Sequence, residues 1–468
     1  MRLLLMIGLA AALAAQSSDE RRSAHPRVFA LTELARAAPP EFAARGLLQL
    51  LEADAIPERD WRLELAQEAL SLAGSARHAL PKRLAPGIVA VDNRAMLWNV
   101  AYQQGLDRLT LSLRAIEQLR RLDPAAARKA FAQLPRPAMA AVTCKDALID
   151  DASQWYLTAG RVNAEPGTIL SAIQAAQSHT EIAPAIDLIF LRRGSAEELD
   201  LYAGAVGEKL RSLPANDRDF NAALFQAPKK IEHLWSTLRL LDRPTAVLAD
   251  GWRAWMQTGL AAPACAESRS AGPQEQARYD AFSLFNKTQT PLEPDLLKPT
   301  GESIAADLHP FADSEAIRSQ TNLFRQLLFG THSRGLSAAE KDTPEWREQM
   351  QSYIQSIEGR TRTSDESDIE FFYRQSQLWS GVLMASPPGP SRDRALAQYL
   401  SFLLVNAPHI DPLLWFSQLE SMAEATRSLH GEEFPKLLRA LHSTAHPVLR
   451  LYAELETDFP TRPSPKVY

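Results

Sequence analysis

The sequence predicts an all-α chain, an irregular α-solenoid of stacked antiparallel helix pairs with no substantial β-sheet. Three observations carry that expectation: apolar residues recur with helical period, helix-start signals precede those periods, and strand signals are nearly absent. Trp346, Met350, Tyr353, Ile354 and Ile357 fall at i, i+4, i+7, i+8 and i+11, which places them on one helix face. Leu396, Tyr399, Leu400, Leu403 and Leu404 repeat the pattern, as do Ile231, Leu234, Trp235, Leu238 and Leu241. The composition is globular, with 46% hydrophobic and 23% charged residues among 468. Wholesale disorder, collagen and a disulfide-dense miniprotein are excluded. A formal net charge of −5 gives no electrostatic reason to expect nucleic acid as a partner.

The N-terminus reads as an export signal. Arg2 precedes an uncharged apolar run from Leu3 to Ala15, Ala12-Leu13-Ala14 is a small-x-small cleavage pattern, and polar residues begin at Gln16. This is the layout of a secretory signal peptide over residues 1–15. The run, about 13 residues, falls short of the ~20 that cross a bilayer. Residues 16–27 are expected to be a mobile mature N-terminus. No later stretch has 18 consecutive apolar residues, so no transmembrane helix is expected. The chain is thus read as periplasmic or extracellular.

Residues 28–262 form the expected N-terminal helical domain. Leu199, Tyr202, Ala203, Val206, Leu210 and Leu213 line one face, and Ser195-Ala-Glu-Glu198 fits a capping box, as do Ser337–Glu340 and Thr363–Glu366 further on. Asp123-Pro124, Thr343-Pro344 and Asp411-Pro412 place a cap before proline at the first helical position. Leu109, Leu113 and Ile116 form one face, Leu122-Asp123-Pro124 turns the chain, and Ala130, Phe131 and Leu134 continue on the next helix. The unit looks like the helix–turn–helix units of tetratricopeptide or HEAT arrays. No fixed period of about 34 or 40 residues accompanies it, so no family is assigned. Gly87-Ile-Val-Ala-Val91 is the one β-like run. Trp98, with apolar neighbours nearly all round, is expected to be fully buried.

Prolines and glycines break the pattern twice. Residues 263–274 read as a linker, and 275–456 as a C-terminal helical domain carrying a long loop over 286–314. Residues 457–468, with three prolines, read as a tail. Cys144 and Cys265 are the only cysteines. In an oxidising compartment an even pair predicts one disulfide, closing a loop that the chain-entropy model values at about 4–5 kcal/mol.

Catalytic patterns are missing. The chain has no Gly-x-x-x-x-Gly-Lys-Ser/Thr loop, no Gly-x-Gly-x-x-Gly turn, no Gly-x-Ser-x-Gly elbow and no His-Glu-x-x-His. No cofactor is expected. His442 and His446 have the i, i+4 spacing of a metal pair, but Pro447 pushes His446 out of helical geometry, so they are weak candidates. Asp150-Asp151 precede Trp155-Tyr156 and suggest a helix surface beside an aromatic pocket; Trp252 and Trp255 add aromatics at helical spacing. Aromatics at helical spacing read first as core, but exposed aromatics stack on sugars or anchor peptides, so these six residues are the possible ligand surface. The run Asp365–Glu370 reads as helix capping. Stacked helix pairs offer a long concave face. The expected function is therefore an exported, non-enzymatic scaffold for a protein, peptide or envelope ligand. The alternative is a secreted all-α polysaccharide hydrolase or lyase, in which tyrosine, histidine and acids would meet in a cleft.

Overall fold

A computed structural model describes residues 20–85, 93–192, 194–266, 271–297, 304–305, 311, 315–329, 343–429 and 432–460. The chain is all-α within them. The first half runs α1 (Pro26–Arg36), α2 (Pro40–Glu52), α3 (Arg59–Ala73), α4 (Asn93–Tyr102), α5 (Arg108–Leu122), α6 (Pro124–Gln133), α7 (Ser153–Arg161), α8 (Pro166–Gln174), α9 (Ile182–Arg192), α10 (Ala196–Ser212), α11 (Asp217–Leu224), α12 (Ala227–Leu240), α13 (Ala246–Leu260) and α14 (Ala271–Thr288). The second half runs α15 (Glu315–Phe329), α16 (Pro344–Glu358), α17 (Asp368–Ala385), α18 (Pro390–Asn406), α19 (Pro412–Ser428), α20 (Glu433–His442) and α21 (Pro447–Asp458). Two small sheets accompany them. β1 (Lys82–Leu84) pairs antiparallel with β2 (Leu148–Asp150), Lys82 opposite Asp150, and β3 (Cys265–Ala266) runs parallel to β4 (Ile304–Ala305). The β-like run Gly87–Val91 and residues 1–15, read as a signal peptide, lie outside the described residues. So do the Ser337–Glu340 box and residues 461–468 of the tail.

Proline starts many helices: Pro26, Pro40, Pro124, Pro166, Pro344, Pro390, Pro412 and Pro447 each open one, where the missing N–H has no partner to lose. Asp123, Thr343 and Asp411 accept hydrogen bonds from the first-turn amides behind those prolines. Ser195 and Glu198 close a capping box. The box expected at Thr363–Glu366 sits four residues later, at Ser367 and Glu370. The cause is Glu366, whose side chain is wholly buried and takes Arg360 at 2.5 Å instead of reaching back to a cap.

Helices stack in an alternating series, α2 on α3, α3 on α5, α7 on α9, α8 on α10 and α10 on α13. The α10–α13 crossing is the tightest of these. A Cβ on Gly251 would lie 2.1 Å from the Gly207 carbonyl oxygen, and one on Gly207 would lie 2.4 Å from that of Val247. The last helix does not end the series in open space. α21 packs on α1 and α2, and α19 packs on α4. Phe42 meets Phe416 with ring centroids 5.3 Å apart, Arg45 donates to Glu420 at 2.8 Å, and Gln49 donates to the Phe459 carbonyl at 2.8 Å. Ion pairs join the first described residues to neighbouring helices. Arg21 bridges to Glu64 at 2.5 Å, and Arg27 pairs with Asp458 and Glu454.

Cys144 and Cys265 form the expected disulfide, with Cα atoms 5.3 Å apart. Trp98 corrects the sequence reading: it is half-buried, because α4 turns Ala95, Leu97 and Ala101 to the core and lays Trp98 beside His78. Among the described residues no helix is long and apolar enough to cross a membrane.

Candidate functional site

The residues expected to form a ligand surface are mostly core. Trp155 packs on Phe131, with ring centroids 5.1 Å apart, and Tyr156 donates to Glu181 at 2.8 Å. Trp252 lies against Phe285 and Trp255 against Phe220, all of them buried. Helical spacing had placed them on inward faces, so no ring is free to stack on a ligand. Asp150 and Asp151 act locally. Asp150 accepts the Ala140 N–H at 2.8 Å and faces Lys82 at 3.6 Å, while Asp151 accepts the Ser153 N–H at the start of α7 and pairs with Arg83.

His442 and His446 are not brought together. α20 ends at His442, whose Nε2 lies 2.7 Å from Glu454. His446 caps α21 outside the helix and lies on Trp415, centroids 5.2 Å apart. Proline 447 separates the pair, as its restriction of the preceding residue requires. Among the described residues no three histidine, cysteine or acidic side chains gather as a metal cage would need.

Two polar clusters, one buried and one half-buried, were not legible in the sequence. In the first, Trp255 Nε1 donates to His179 Nδ1 at 2.6 Å, and His179 Nε2 lies 2.9 Å from the Pro214 carbonyl. Asp219 accepts from Ser178 Oγ and the His179 N–H. Burial holds the His179 imidazole below the ordinary histidine range, against the pull of Asp219. In the second, His78 Nε2 lies 3.1 Å from both oxygens of Asp411, and the Tyr102 hydroxyl lies 3.4 Å from Nδ1. Burial by itself would raise the Asp411 carboxyl, but His78, the Leu413 N–H and Arg77 together outweigh it and the net shift is down. Burial, then Asp411, Asp150 and Asp107, push Tyr102 up to about 12. A tyrosine so raised is a poor base at neutral pH. The cavity beside His78 measures about 10 Å³, room for one water and not for a sugar ring.

Open space lies elsewhere. A cleft of about 330 Å³ adjoins Cys265, but its Arg278 is already held by Asp217 at 2.9 Å and Asn221 at 3.2 Å. A groove of about 280 Å³ lies where α9, α10 and α12 meet, floored by Ile189, Phe190, Leu199 and Tyr202 and closed by Leu241. The helices that wall it also carry exposed Leu191, Leu201 and Leu240, and Leu241, just past the end of α12, is exposed as well. Leu240 is 86% exposed. The one sequence signal for this edge is an apolar pair, Leu240-Leu241, at a helix end where a polar turn is the norm. No family model, curated protein or solved structure matches the chain.

Proposed function

We propose that the chain is an exported, non-enzymatic scaffold that binds a protein or peptide partner along the leucine edge of α9, α10 and α12. The carrying observation is the groove of about 280 Å³ closed by half-exposed Leu241, together with exposed Leu191, Leu201 and Leu240 on the helices that form it. A leucine left exposed at a groove forgoes about 1.5–3 kcal/mol of burial, and an apolar partner segment recovers it. Such exposed apolar clusters mark interaction sites. Export is supported by the apolar run Leu3–Ala15 and by the joined cysteines, since disulfides persist in oxidising compartments.

The hydrolase or lyase reading has one favourable feature, the meeting of His78, Tyr102 and Asp411 beside Trp98. The small cavity and the raised tyrosine weigh against it.

The test places a photo-crosslinking residue at Leu240 and, as a control, at exposed Arg128 of the chain expressed in its native host. The expected result is a partner adduct at position 240 that the control lacks, on a product recovered outside the cytoplasm with its N-terminus near Gln16. Equal labelling at both positions, or an intracellular product that keeps residues 1–15, overturns the proposal.

A further inference from the structure

We infer that the contact between His179 and Trp255 is an acid-sensitive latch: a second proton on His179 frees α13 from the short turn His179–Glu181 and from α11, while the rest of the series stays packed. The latch is independent of the leucine edge and stands if that reading fails.

The latch follows from what each partner can do. Trp255 Nε1 carries a hydrogen and no free lone pair, so it donates to His179 Nδ1 at 2.6 Å and cannot accept. The Pro214 carbonyl, 2.9 Å from Nε2, can only accept. A hydroxyl or a water in place of the indole would turn round to accept from an imidazolium. The indole has no such option, so two N–H groups would face each other and one must leave. Both side chains are buried, so solvent answers neither N–H until they part.

The charges around the ring do not rescue the imidazolium. Asp219 pulls on it, but its oxygens already accept from Ser178 Oγ and the His179 N–H. Elsewhere on α11, Asp217 takes Arg278 and the Cys265 N–H, and Arg218 donates to the Cys144 carbonyl. In the turn itself Glu181 takes Arg136 and Tyr156. Asp187 of α9, which packs on the turn, takes Lys230 at 2.6 Å. α13 carries Asp250, which is exposed, and Arg253, which donates to the Thr290 carbonyl.

What moves is confined to one seam. Phe220 of α11 meets His179 at 5.8 Å and Trp255 at 4.8 Å between ring centroids, and a Cβ on Gly259 would fall 2.2 Å from the same ring. One face of α13 thus rests on Phe220 beside the latch. Beyond the helix, Cys265 is bonded to Cys144, so a freed α13 stays tethered and reseats when the pH rises.

The test is amide hydrogen exchange of the full mature chain at pH 7.5 and pH 5.5, corrected for intrinsic exchange and read by mass spectrometry. The opened state takes its proton at the ordinary histidine value of ~6.5. If the closed state stays neutral, opening is about tenfold more frequent at pH 5.5 than at pH 7.5. That rise is expected in 178–181, 217–224 and 246–260, and not in α2, α3 or α5. These reference helices are chosen away from His446, which burial also holds low. His179→Gln, whose amide accepts from Trp255 and donates to Pro214, is expected to abolish the rise. Trp255→Phe removes the opposing donor and is expected to reduce it. No rise in the wild type, a rise spread evenly over the chain, or the full tenfold rise in either variant overturns the inference.

Discussion

An indole nitrogen can only donate a hydrogen bond, so the 2.6 Å contact from Trp255 makes His179 Nδ1 an acceptor. The ring proton therefore sits on Nε2 and is donated to the Pro214 carbonyl. Both nitrogens are used by the neutral tautomer, and a second proton would break the bond to Trp255. The folded-state pKa lies below the unfolded value of ~6.5. The contribution of this group is thus complete above about pH 6.5 and is lost as pH falls from there through the lower folded value. His446, also held low by burial, adds to the same slope. The melting temperature is expected to fall between pH 7.5 and pH 5.5, and His179→Gln to flatten that fall at the cost of about 1–3 kcal/mol at neutral pH. A variant with the wild-type slope would show that His179 is not the group titrating. Nothing in the sequence marks this histidine, because its side-chain partners stand 35 and 76 residues away. The inward faces around Trp346 and Tyr399 were legible because their partners recur at helical spacing.

At the scale of elements, local signals were read well where one helix decides the outcome and poorly where two compete. Thr363–Glu366 and Ser367–Glu370 both satisfy the capping-box spacing. Only the tertiary pairing of Glu366 with Arg360 chooses between them. The α10–α13 crossing is likewise invisible in periodicity, since glycine carries no apolar signal. Gly207 and Gly251 allow backbone to approach backbone, and the atoms a methyl group would meet are carbonyl oxygens that no rotamer change can move. Gly207→Ala and Gly251→Ala are each expected to lower stability by about 1–3 kcal/mol, toward the upper end. Gly204→Ala lies on the same helix with nothing within 4 Å of the added methyl. It should be neutral or gain up to about 1 kcal/mol from helix propensity. Urea midpoints of the three variants check this. Equal midpoints for Gly204→Ala and Gly207→Ala would mean the crossing is slack.

An open solenoid is stabilised by nearest neighbours, so damage at one end stays there. This chain differs because its last helix is also the neighbour of its first. The all-α class was readable from sequence, but that meeting was not, since it joins residues some four hundred positions apart with no periodic trace. Leu451 of α21 lies 3.1 Å from where a Gly46 Cβ would be, on a surface that α1 and α2 complete. Leu451→Asp puts an unpaired carboxylate into that contact, a change of about 3 kcal/mol or more. The expected outcome is faster amide hydrogen exchange in two separate stretches, 433–458 and 31–51, while α10 and α13 at the middle of the series keep their protection. Exchange followed by mass spectrometry resolves these stretches directly. Loosening confined to 433–458 would show that the two ends touch without supporting each other. Loosening at both would establish that α1 owes part of its stability to the end of the chain, and that the array behaves as a closed series of neighbours.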